Sequence, residues 1–363
     1  MLQIAMAPAP PPVVEAVEEI AVDSSLESAS VLRIRLGIAQ NDLGDWRFLQ
    51  EDLFRPLTPV TVRVAVGSVP IPEAIMNGYV GRQDVTYADE AGSSTLEISG
   101  LDATVLMGLQ EKVMPWPNLP DGAIAAAIFA QYALIPMVQP TAPTLIEPEG
   151  TTIQRSTDLR FVRKLARRNG FDFYIQPEPV TGLDQAFFRP RQTLGLPDAV
   201  LNVNMGSETN VAGFTVHYDM TRPTSAVAAG LDATTKAPQP ALAPVSIQPP
   251  MGLEPALLRV LPTPMVRPAD TGLMRTSELQ AFAQGIADAS SFAITAQGEA
   301  GPDVGVLRPG GLIAVRGLGR LYNGLYLLTR VTHRITDEGY TQTFVAVRNA
   351  ATMTGAEPYV ALP

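Results

Sequence analysis

Leu325-Tyr326-Leu327-Leu328-Thr329-Arg330-Val331-Thr332-His333-Arg334-Ile335 is the stretch from which the fold can be read. Leu327, Thr329, Val331, His333 and Ile335 fall on one side, and Tyr326, Leu328, Arg330, Thr332 and Arg334 on the other. A period of two with one polar face marks a half-buried antiparallel strand. Before it, Leu307-Arg308-Pro309-Gly310-Gly311 leads into the apolar run Leu312–Arg316, and Asn323-Gly324 supplies a strong hairpin signal. After it, Asp337-Glu338-Gly339 turns into Tyr340 to Arg348, so a three-stranded antiparallel meander is predicted.

The same period recurs near the other end. Leu32, Ile34 and Leu36 alternate with Arg33 and Arg35, and Val60, Val62, Val64 and Val66 with Thr61, Arg63 and Ala65. Tyr79-Val80 to Tyr87 and Leu96-Glu97-Ile98 follow, joined through Glu90-Ala91-Gly92-Ser93. Several such strands in residues 30–101 suggest a small barrel or sandwich. Between the two β regions the pattern becomes helical. Asp121 can cap a helix through Gly122 to Leu134. A second helix is capped by Ser156 or Thr157, carries Asp158 in its first turn and the apolar stripe Leu159, Val162, Leu165 and Ala166, and stops at Gly170. A strand with Phe171, Phe173 and Ile175 on one face follows, and a third helix is predicted from about Ser277 to Ala289. Residues 1–29 lack a clean period and read as a flexible arm. Residues 222–270, dominated by Pro and Ala, read as an extended, surface-tracking insertion.

Composition narrows the function. The 363 residues carry a formal charge of −10, and a uniformly acidic chain repels phosphate backbones, so specific nucleic-acid binding is not expected. With no cysteine, disulfides, thiolate metal sites and cysteine nucleophiles are excluded. The N-terminus lacks a basic signal-peptide start, and no apolar run is long enough to span a bilayer, so no membrane insertion by this chain is expected. The histidines His217 and His333 have no nearby His/Asp/Glu cluster in sequence, so no metal, cofactor or catalytic residue is assigned. Gly317-Leu318-Gly319 is not followed by a helix and does not read as a phosphate loop. Arg160, Arg163, Lys164, Arg167 and Arg168 form a basic cluster in an acidic chain, either a solvated helix face or a contact with an acidic neighbour. Trp116, framed by Pro115 and Pro117, is either core or an interface anchor.

Two of these segments carry a family resemblance. Ser156-Thr157-Asp158-Leu159-Arg160-Phe161-Val162-Arg163-Lys164-Leu165-Ala166-Arg167-Arg168-Asn169-Gly170-Phe171 resembles a hallmark helix of contractile-tail hubs. Pro309-Gly310, Gly317, Asn323-Gly324-Leu325-Tyr326, Thr329-Arg330-Val331-Thr332-His333 and Gly339-Tyr340-Thr341-Gln342-Thr343 are similar to the closing domain of the same family. That family is the phage late control D group, related to the baseplate hub of T-even-like phages and the hub part of type VI secretion VgrG proteins.

The resemblance covers roughly residues 30–222 and 270–350. It implies an α+β, mainly β chain with two tube-like antiparallel β-barrel domains and an inserted α/β portion. The expected divisions are a flexible arm (1–29), a first barrel (30–112), an inserted α/β domain (113–200) with a helical part (271–299), a second barrel (201–222 and 300–350), the Pro/Ala-rich insertion (223–270) and a tail (351–363). It further implies a non-enzymatic homotrimeric ring in the virion tail baseplate, assembled in the host bacterial cytoplasm. The ring would adapt the six-fold tail tube to a three-fold central spike, with tail tube and spike proteins as partners and tape-measure and baseplate wedge proteins as further contacts. Since the chain ends soon after its last strand, the spike is expected to be a separate protein. The alternatives are the hub of an extracellular contractile injection or type VI-like system, a baseplate-associated peptidoglycan hydrolase, and a carbohydrate-binding β module.

Overall fold

The computed structural model describes residues 1–49, 52–67, 71–90, 92–141, 151–231, 235–260, 262–268 and 275–359. The alternating stretches are strands, and one face of each is buried. In the N-terminal half, Val31–Gly37 lies between Val17–Ser25 and Thr95–Leu101, with Ile34 opposite both Ile20 and Ile98. Glu73–Thr86 and Pro59–Val64 continue the sheet. Its inward side chains, among them Val22, Leu32, Leu36, Val60, Val62 and Leu96, form one core. Each such side chain fully withdrawn from water contributes roughly 1.5–3 kcal/mol.

In the C-terminal half, the meander Leu312–Arg316, Gly324–Thr336 and Gly339–Arg348 forms as predicted. Ile294–Ala300 and then Val211–Tyr218 extend it antiparallel, while Ala199–Asn202 joins Leu312–Arg316 in parallel. A second core gathers Leu201, Ile294, Ile313, Val315, Tyr326, Leu328, Val331 and Phe344. Two details of the meander differ from expectation. The ladder shifts register between Leu328 and Arg330, so Leu327 and Leu328 are both buried. Asn323-Gly324 is also not a two-residue turn. Gly324 opens the strand at φ +133°, and a Cβ there would lie 2.8 Å from the Arg348 guanidinium. The glycine serves the approach of Arg348 rather than the turn.

The two halves are one sheet. Gly324–Thr336 pairs with Val17–Ser25, from Arg330 opposite Ser25 to Thr336 opposite Glu19. Residues 1–29 are therefore not a flexible arm. Val17–Ser25 is a central strand with Ile20, Val22 and Ser24 pointing inward, and Leu2–Ile4 pairs with Pro59–Val64. Its acidic, proline-flanked sequence hid a plain alternation of Ile20 and Val22 with Glu19, Ala21 and Asp23. The end strands of the sheet, Val211–Tyr218 and Ala7–Pro8, do not pair with each other. The chain is thus mainly β with additional helices, and strand pairing among the described residues closes no barrel.

Between the halves lies an α/β portion. The ribbon of Glu111–Trp116 and Thr152–Thr157 and the sheet of Ile135–Val138, Asp172–Pro177 and Asp184–Arg189 pack with the helices Asp121–Gln131 and Asp158–Asn169. Asp121 occupies the first helical turn and does not cap its helix. The Pro/Ala-rich segment is not merely extended. Ser225–Leu231 pairs with Pro238–Ala243 and with Met265–Val266, and Ala226, Ala228, Ala241 and Ala243 pack on Leu279, Ala283 and Ala287 of the helix Thr276–Ser291. Alanine lets backbone and helix approach closely, so this small core leaves no strong hydrophobic period. Ala91 of the expected turn and residues 232–234, 261, 269–274 and 360–363 of the expected insertion, helical part and tail lie outside the described residues.

Candidate assembly interface

The basic helix Asp158–Asn169 is built from clear local signals. Thr157 is its N-cap, accepting from the Arg160 N–H at 3.4 Å. Gly170 ends it in the left-handed region at φ +66°, and Phe171 N–H bonds back to Ala166 O at 2.9 Å. Asp158, in the first turn, accepts from Lys112 Nζ at 2.5 Å, Tyr132 hydroxyl at 2.6 Å and Gln154 Nε2 at 2.6 Å. Burial would raise its carboxyl, but these donors together hold it below the usual range. Phe161, Val162, Leu165 and Ala166 face the core.

The five basic residues of this helix divide. Arg168 turns inward, pairing with both Asp121 carboxylate oxygens and lying 3.7 Å from Glu278. Burial opposes its charge, yet the Asp121 hydrogen bonds and the two carboxylates raise its pKa. Arg168 is thus an internal clamp between three helices and not part of an exposed contact. Its partner Glu278 is remote in sequence, and no local signal announced the pairing. Arg160 is exposed and 3.6 Å from the exposed Glu111. Such a pair contributes less than about 1 kcal/mol. Lys164 and Arg167 are exposed and Arg163 half-buried, and none has an acidic partner among the described residues. Positions 160, 163, 164 and 167 follow the i, i+3, i+4, i+7 spacing of one helix stripe. Trp116 is not an exposed anchor. It ends a strand, is 8% exposed, and its indole N–H donates to Gln154 Oε1 at 3.2 Å.

A second charged surface, not foreseen as a site, lies on the polar face of the main sheet at the seam between the halves. Arg330 Nε pairs with Asp23 at 2.7 Å, Arg334 with Glu19 at 2.8 Å and Arg35 with Glu18 at 2.9 Å. A cleft of about 610 Å³ opens beside them, lined also by Glu299, Asp337 and Glu338. Those three carboxylates are exposed and have no cationic partner among the described residues. The strand alternation showed that Arg33, Arg35, Arg330 and Arg334 share polar faces. It could not show that strands from opposite ends of the chain would bring them together.

Behind the cleft, His333 is buried, with Nδ1 2.8 Å from the Tyr340 hydroxyl. Burial, aided by Arg308, pushes its pKa down to about 3, so the ring is neutral. His217 is exposed on the edge strand Val211–Tyr218. Among the described residues no three metal-ligating side chains converge, and no helix is long and apolar enough to cross a membrane.

A family model described as the Alg8 N-terminal domain matches residues 2–337. The chain belongs to that family. Solved structures with a similar fold include a tail protein from Neisseria meningitidis MC58, with TM-score 0.64, 14% identity and 98% of each chain covered. The 43 kDa tail protein of prophage MuSo2 from Shewanella oneidensis has TM-score 0.64 and 12% identity, with 96% of this chain and 97% of that one covered. An E. coli component of the type VI secretion system, itself described as similar to the T4 bacteriophage tail proteins gp27 and gp5, has TM-score 0.59 and 13% identity, covering 99% and 80%. No curated protein matches the chain. This member of the Alg8 N-terminal domain family thus has the fold of phage tail and type VI secretion proteins over nearly its whole length.

Proposed function

We propose that the chain is a structural baseplate hub of a contractile phage tail, of the late control D kind. Three copies form a ring that joins the six-fold tail tube to a three-fold spike. The observation that carries this reading is the joining of two antiparallel β halves, each with its own core, into one sheet through Gly324–Thr336 and Val17–Ser25. A subunit with two such halves places six β modules around a three-fold axis, so one face of the ring can meet six-fold symmetry and the other three-fold. Tail tube and spike proteins are the partners this reading requires, tape-measure and wedge proteins are further contacts, and the virion tail is its location after assembly in the host cytoplasm. The hub of an extracellular contractile injection or type VI-like device is the second reading, favoured by the likeness to the E. coli type VI component.

The role is structural rather than enzymatic. Light scattering after size exclusion tests the ring directly. A mass near three times 38.7 kDa, about 116 kDa, is expected, whereas a monomer in the presence of the cognate spike overturns the proposal. A clearing band on a cell-wall zymogram would instead establish a hydrolase.

A further inference from the structure

We infer that the basic stripe Arg163, Lys164 and Arg167 of one copy docks into the acidic seam cleft of a neighbouring copy, against Glu299, Asp337 and Glu338. This rests on the ring proposed above and names the contact that closes it.

A closed ring of identical chains built side by side needs two different, complementary patches on each chain. The two charged surfaces meet that requirement. On the helix, three cations stand on one stripe and lack acidic partners among the described residues, while Arg168, the neighbouring cation off that stripe, is satisfied internally. In the cleft, the arginines Arg35 and Arg334 are already matched by Glu18 and Glu19, so Glu299, Asp337 and Glu338 supply negative charge that no cation pairs among the described residues. Within one chain neither group pairs with the other.

Like charges at i and i+4, such as Arg163 and Arg167, repel along a free helix. An acidic partner relieves that repulsion and steers association. The cleft is also concave, about 610 Å³, with room for the tips of long basic side chains between strands. A chain of net charge −10 repels its own copies at long range, so a local basic stripe selects the docking orientation.

The test is a charge swap on the full chain, read by mass after size exclusion and by the salt dependence of association. The reversal R163E/K164E/R167E and the reversal E299K/D337K/E338K should each weaken self-association about tenfold or more. The chain carrying both reversals should recover most of the wild-type association. Far-ultraviolet circular dichroism and the urea midpoint establish that each variant is folded. An oligomer whose mass and salt dependence survive either reversal overturns this contact and leaves the ring reading standing. Two dissociating reversals that fail to rescue each other overturn it as well, because each surface then meets something else. A wild-type chain that is monomeric alone and with its spike removes the ring reading and this contact together.

Discussion

Arg348 is fully buried, and its guanidinium meets carbonyls instead of carboxylates. Its nitrogens donate to Met251 O at 2.7 and 3.1 Å, to Asn323 O at 2.7 Å and to Thr352 O at 3.4 Å, and it lies 5.6 Å from the Tyr326 ring centre. One side chain thereby ties the Pro/Ala-rich segment to the final meander. Truncation leaves several carbonyls buried without donors, each costing about 1–3 kcal/mol. R348M should therefore lower the unfolding free energy by about 3 kcal/mol or more, measured by urea titration. Asp184 makes an opposite kind of prediction. Burial and the nearby charge of Asp102 raise its pKa to about 6, although Asn77 Nδ2 donates to it at 3.0 Å. A carboxyl with a raised folded pKa costs nothing below the unfolded value and destabilises progressively as pH rises through the folded one. D184N should thus match the wild type near pH 4 and exceed it above pH 6, by at most about 3 kcal/mol. His333 acts in the other direction, losing stability as pH falls below its ordinary 6.5, so the difference between wild type and D184N isolates Asp184. Equal pH profiles for the two proteins would refute the assignment.

At the level of elements, the crossing of the helices Asp158–Asn169 and Thr276–Ser291 depends on glycine. A Cβ on Gly285 would lie 2.5 Å from the Cα of Gly170. Alanine at 285 improves helix propensity by about 1 kcal/mol. Forcing two backbones apart at a tight crossing costs about 1–3 kcal/mol, and the loss of the inward Arg168–Glu278 approach adds to it. The net expectation for G285A is destabilisation, read as a lower urea midpoint, and a raised midpoint would show that the crossing can relax. The basic helix itself was legible because cap, stripe and stop are all local. The strand Val17–Ser25 was not, since its alternation sits in a Pro- and Glu-rich context that resembles a tail. The alanine core under the Pro/Ala-rich segment escaped for a related reason: small residues carry little hydrophobic signal whichever face they occupy.

At the level of the whole molecule, charge and symmetry make the remaining expectations. On the proposed ring, the assembled wild type should lose mass as ionic strength rises, because exposed charges separated beyond about 8–10 Å are screened at 0.1–0.15 M salt. If association were driven by apolar contact alone, salt would leave it unchanged or strengthen it. Shared nearly end to end with tail proteins at 14% and 12% identity, the fold tolerates wide sequence change. Inward alternation of apolar residues is all a strand needs, and many sequences provide it.

By itself, the sequence determined the mainly β class, the capped basic helix and the C-terminal meander. Each follows from periodicity and end signals within a dozen residues. Tertiary structure alone decided which strands distant in sequence meet, that the two halves share one sheet, that Trp116 and Arg168 turn inward, and that Glu299, Asp337 and Glu338 share a cleft with Glu18 and Glu19. Those outcomes depend on contacts between residues up to about three hundred positions apart, such as Arg330 with Asp23, which local patterns do not encode.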